Sequence, residues 1–312
     1  TKGAGGAAVL SEVVSAPTAN QALLRAADLA VEKTNGLGLR GFFSSRLAFI
    51  SERTGRTEVY DSDLFFSPGE VKQLTHDRAE ALFPRWSPDG ARIIYTSFYK
   101  GGMADIYLLD AATGTRTSFA SFQGTNLSAR FSPSGRQVAM VLTGSGTPEI
   151  WTSNAEGRDL VRRTHSDTVK ASPCYSPDGT RLIYACDPGP QLYIMPAAGG
   201  PSRRVTSGIY SYCAEPDWSR ADPNKVAYTI RVAGGRFQIA VLDLAKGTSQ
   251  QVVKAPFDGV EPSWLPDGRH LVYTARDRST SELCILDTET GKSTPIAPRG
   301  FGATLQASVW MR

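Results

Sequence analysis

The apolar positions of this chain repeat with a period of forty-odd residues. An apolar triplet ending in an aromatic residue or Met occurs at Ile93-Ile94-Tyr95, Val138-Ala139-Met140, Leu182-Ile183-Tyr184, Val226-Ala227-Tyr228 and Leu271-Val272-Tyr273. Runs this short, with no helical stripe, predict strands buried on both faces. Ahead of each stands an aromatic anchor, at Trp86, Phe131, Tyr175, Trp218 and Trp264, and Trp310 supplies a sixth; successive separations are 45, 44, 43, 46 and 46 residues. Six anchors imply six units of one repeat.

A turn after each anchor accounts for the period. Ser87-Pro88-Asp89-Gly90, Ser132-Pro133-Ser134-Gly135, Ser176-Pro177-Asp178-Gly179 and Leu265-Pro266-Asp267-Gly268 are turns of one kind, and Ser219 to Asn224 departs from it. Pro presets φ, Asp or Ser bonds back to the chain, and Gly takes the left-handed position that closes a hairpin. A third strand comes next, as in Asp105-Ile106-Tyr107-Leu108-Leu109-Asp110, and Gly114, Gly157, Gly200, Gly247 and Gly291 turn the chain into a fourth. Four antiparallel strands in each of six units predict an all-β fold, a six-bladed β-propeller. Leu305 to Trp310 has no room after it for three more strands. Arg46-Leu47-Ala48-Phe49-Ile50, Glu58-Val59-Tyr60 and Glu70 to Thr75 supply them, so the last blade closes between the two termini.

Residues 1–43 lie outside the repeat, leaving 44–312 for the propeller. Thr18-Ala19-Asn20-Gln21 has capping-box spacing, and Ala22, Leu23, Ala26, Ala27, Ala30 and Val31 give an apolar face before Asn35-Gly36 stops a helix over about 18–34. This helix, with a short strand expected between Ala7 and Val14, is too small for a core of its own. It reads as the remnant of a truncated amino-terminal domain.

Composition narrows the function. With 312 residues, 41% of them hydrophobic, the chain can bury a large core, and its 30 glycines and 19 prolines suit many tight turns. A net charge of +4 without a basic run argues against nucleic acid. No apolar stretch is long enough to span a membrane. Cys174, Cys186, Cys213 and Cys284 lack metal-site spacing and read as small hydrophobes in strands. Cys174 and Cys186 fall on two arms of one hairpin, so an oxidising compartment could bridge them.

Catalytic motifs are missing: there is no nucleophile elbow, H-E-x-x-H or phosphate loop. His270 sits between a turn and a buried strand, a structural position. His76 and His165 follow Thr75 and Thr164 in equivalent loops, two blades apart, and two ligands do not make a metal site. Glu215-Pro216 and Glu261-Pro262 recur just before their anchors. They are either solvated strand-end carboxylates or acceptors for a protein partner or a cation such as Ca²⁺. The expectation is therefore a non-enzymatic, monomeric binding platform without a cofactor; the alternative is the propeller of a peptidase or a metal-dependent polysaccharide lyase.

The repeated phrase, an aromatic with Ser-Pro-Asp-Gly, an apolar-apolar-aromatic triplet and a late Leu-Thr or Val-Thr, resembles the TolB-type propeller repeat over residues 37–312. The run Gly41-Phe42-Phe43-Ser44-Ser45-Arg46-Leu47-Ala48-Phe49 is similar to the way that propeller begins. The resemblance implies a periplasmic component of the Tol-Pal envelope system. Its propeller would bind Pal, the peptidoglycan-associated lipoprotein, and its amino-terminal region would engage other Tol proteins. The positions matching the Pal-binding face are Thr125, Ser128, Ser172, Ala214, Glu215, Val260, Glu261 and Gln306, with His165 on a neighbouring loop. Substitutions at the two glutamates are expected to alter binding and leave stability unchanged.

Overall fold

The computed structural model describes residues 11–34, 39–206, 208 and 210–311. Among them are six four-stranded antiparallel sheets. Five consist of consecutive strands, beginning with the innermost strands Ala81–Trp86, Asn126–Phe131, Lys170–Tyr175, Cys213–Trp218 and Asp258–Trp264. We number these blades one to five. The sixth joins Thr304–Met311 to Ser45–Ser51, Glu58–Asp63 and Lys72–Gln73. Leu47 pairs with Val309 and Ala48 with Ser308, so the ring is tied by backbone hydrogen bonds between the two ends of the chain.

Each blade's second strand is sealed between its neighbours. Ile93, Ile94 and Tyr95 are at most 1% exposed, and Leu271, Val272 and Tyr273 are fully buried. Burial on both faces explains why these segments are continuously apolar. The Ser-Pro-Asp-Gly turns work as expected: Ser87 Oγ accepts the Arg92 N–H at 2.9 Å and donates to Asp89, and Ser176 and Asp178 repeat this. The late Thr of the repeat also has a task. Thr75, Thr164 and Thr206 accept an N–H of the third strand at 2.9 Å, from Val59, Ile150 and Leu192, and donate to Glu58, Glu149 and Gln191. This clasp sets where the chain leaves the outer strand for the channel.

Two expectations need correction. Trp310 is not the sixth anchor: Val309 faces Leu47 as Trp86 faces Ile93, and Trp310 lies one residue beyond. Its indole packs against Trp86 and donates to the Pro88 carbonyl at 3.0 Å, covering the first blade's turn. Residues 11–14 form no strand; 7–10, like Asn35-Gly36, lie outside the described residues.

The helix, Ala19–Thr34, is capped by Thr18, whose Oγ1 accepts the Gln21 N–H at 3.2 Å. It docks through one buried acid. Asp28 accepts the N–H groups of Phe43 and Ser44, both at 2.8 Å, and so fixes the entry to the first propeller strand.

Candidate functional site

The innermost strands are not regular. Each carries a register shift, and each shift holds one non-glycine residue at positive φ: Phe83, Ser128, Ser172, Glu215, Glu261 and Gln306. L-residues avoid this region, and a bulge that adopts it six times turns one side chain per blade toward the axis. Five of these six belong to the sequence-derived site. Phe83 was missed, although Phe83-Pro84 matches Glu215-Pro216 in its repeat.

Neighbouring blades are laced through this ring. Glu215 Oε2 accepts the Glu261 N–H at 3.0 Å and the Thr229 hydroxyl at 2.6 Å. Glu261 accepts Thr274 Oγ1 and Gln306 Nε2, both at 2.9 Å, and Gln306 Oε1 accepts the Phe83 N–H at 2.8 Å. Burial, reinforced by the Glu261 charge, pushes the Glu215 carboxyl up to about 7. The two glutamates are thus structural bridges inside the channel and not solvated strand ends, so the expectation that they can be removed without cost to stability is withdrawn. Ser128, Ser172, Glu215 and Glu261 surround a void of only ≈20 Å³, the waist of the channel.

The other candidates divide. Ala214 and Val260 are buried at 6% and 5% exposure, Ala214 inside the core shared by blades three and four. Thr125 is half-buried and gives its N–H to Thr143 Oγ1 at 2.6 Å. His165 is exposed, as is His76. His270 bonds through Nδ1 to Asp267 Oδ2 at 2.5 Å and packs on Phe42. Among the described residues no three His, Cys, Asp or Glu side chains gather as a metal would require. All four cysteines are free thiols; Cys174 pairs across the hairpin with Ile183 and Cys186 with Lys170, a register that holds the two thiols several residues apart and does not suit a bridge.

Two residues beyond each bulge residue lies a second ring: Arg85, Arg130, Cys174, Asp217, Ser263 and Ser308. It too laces the blades. Asp217 Oδ2 accepts the Trp264 N–H at 2.8 Å, and Ser308 Oγ accepts that of Trp86 at 3.2 Å. Arg130 of blade two meets Asp217 of blade four at 2.6 Å, passing across blade three. All six line a recess of ≈640 Å³ whose walls include Pro88, Pro133 and Pro177, on the face of the turns and opposite to His76 and His165. Arg85, Arg130 and Asp217 were missed in the sequence. Aligning the six units on their anchors would have placed them at one level.

Comparison with known proteins agrees with this architecture. The family model described as the TolB beta propeller domain matches residues 34–310. The Tol-Pal system protein TolB of Bordetella pertussis is 34% identical over 178 residues, covering 56% of this chain and 39% of the relative. A TolB homologue from Chlorobium chlorochromatii is 33% identical over 147 residues, 47% of this chain and 32% of its own. These alignments span about a third of the relatives' length. The crystal structure of TolB from Acinetobacter baumannii superposes with a TM-score of 0.83 and 28% identity, over 98% of this chain and 76% of that one. With a six-bladed ring, last-blade closure and a family match spanning nearly the whole sequence, the chain belongs to the TolB β-propeller family.

Proposed function

We propose that the propeller is a non-enzymatic, protein-binding component of a periplasmic Tol-Pal envelope system, and that it binds a peptidoglycan-associated lipoprotein on the face where the chain enters the innermost strands. The observation that carries this reading is the ring of six bulge residues. Six left-handed positions are maintained only where the surroundings over-determine them, and such strain collects at binding sites. Around them the entry loops expose His165 and His76 while the strands beneath stay buried. Recognition surfaces on loops held by a rigid scaffold are the common arrangement.

No observation favours the hydrolase or lyase alternative. His270 is held by Asp267, and the other two histidines stand on separate exposed loops. The test is capture: the immobilised propeller, exposed to native envelope extract, should retain the peptidoglycan-associated lipoprotein. Failure to retain it, with the lipoprotein present in the extract, would contradict the reading.

A further inference from the structure

On the opposite face, we propose that the recess beneath the second ring is a binding site for a small oxyanion, a carboxylate or phosphate group, with Arg85 as its anchor. At this level the charges do not balance. The second ring carries two guanidiniums, and its one carboxylate, Asp217, is taken by Arg130. Arg85 is left with two carbonyl oxygens: its Nη1 donates to Pro84 at 3.2 Å and to Ala307 at 3.3 Å. Among the described residues no carboxylate lies within ion-pair distance of it. A guanidinium has five N–H donors in a fixed fork, so several remain for a ligand.

The surroundings sharpen the mismatch. Burial and the nearby Arg130 lower the Arg85 pKa to about 10, yet the group stays charged at neutral pH. The Asp217 carboxylate, and more weakly that of Glu261 from the waist side, act on it through space without contact. Arg85 and Arg130 line both the waist and the recess, so the two guanidiniums form the partition between them. Removing a cation from water without a hydrogen-bonded counter-ion is costly, and an incoming oxyanion recovers that cost through a two-pronged contact. Arg40 and Arg220 lie on the same wall; of the acids there, Asp217 is held by Arg130 and Asp267 by His270, which leaves Glu32 against three further guanidiniums. A volume of ≈640 Å³ is that of a small-molecule pocket, and Trp86, Trp218 and Trp264 stand in its walls.

The experiment is isothermal titration of the whole chain at neutral pH and low ionic strength with inorganic phosphate and, separately, with citrate. At least one should bind saturably at a single site, and the arm that binds tells phosphate from carboxylate recognition. Arg85→Gln should weaken that binding at least tenfold, with its circular dichroism spectrum unchanged. If Arg85→Gln does not fold, Arg85→Lys takes its place: it keeps the charge, loses the fork, and should weaken binding at least threefold. Saturation by neither ion, or wild-type affinity in the folded variant, would overturn the proposal.

Discussion

The backbone N–H of Glu261 donates to Oε2 of Glu215 at 3.0 Å, one blade away, from the same left-handed position of the neighbouring strand. A side chain that a surface reading would assign to a partner is thus also part of the lacing that holds two blades together.

The Glu215 carboxyl, with its pKa pushed up to about 7, binds its proton more tightly folded than unfolded. Its contribution to stability is present below the ordinary carboxyl range and is lost as pH rises from there to about 7. The chain should therefore be more stable at pH 5 than at pH 8 by about 1–3 kcal/mol on this account. Glu215→Gln keeps the acceptor for the Glu261 N–H and should flatten that part of the profile, as read from urea midpoints across pH. A variant as pH-dependent as wild type would contradict it.

At the seam between the closing blade and the first, Trp310 packs on Gly90. At Gly90, φ is +68° and an added Cβ would lie 2.2 Å from the Trp310 ring. Gly90→Ala combines left-handed strain with overpacking and should lose about 2–4 kcal/mol, measured by thermal melting. Gly69→Ala, where nothing lies within 4 Å, should lose only the strain, about 1–2 kcal/mol.

The closing blade also holds a buried charge cluster. Arg46 meets Asp61 at 2.6 Å and Glu70 at 2.9 Å, with the Arg46 and Asp61 side chains only 10% and 7% exposed. Asp61→Ala leaves the guanidinium half-matched and should destabilise by about 3 kcal/mol in denaturant titration. A loss within about 0.5 kcal/mol, the scale of an ordinary surface substitution, would show that water or Glu70 satisfies Arg46 alone.

Much of this architecture is legible in the sequence because each blade repeats the same local chemistry. The triplet through Ile93-Ile94-Tyr95 and the turn at Ser87-Pro88-Asp89-Gly90 specify strands and hairpins within a few residues, and six copies specify a ring. Trp310 misled because an aromatic anchor was matched by residue type, whereas register assigns the position to Val309. The site was half legible. Glu215, Glu261 and Gln306 stood out by position, but the bonds that lace them to the next blade run between residues 45 or 46 apart, or across the closure from Gln306 to Phe83, and sequence spacing shows none of that. The Arg130–Asp217 pair, 87 residues apart, is invisible for the same reason.

On the proposed reading, binding and folding should separate at the entry loops though not at the waist. His165 is exposed and lies outside the lacing, so His165→Ala should leave the melting temperature within about 2 °C of wild type, a surface-scale effect. The most direct test of the central claim is calorimetric titration of this chain, wild type and His165→Ala, with the soluble domain of the peptidoglycan-associated lipoprotein from the same cell. Saturable one-to-one binding by wild type, weakened about fivefold or more in the variant, is the predicted result, a hot-spot loss of ~1 kcal/mol or more. No saturable binding by the folded wild-type chain would contradict the account.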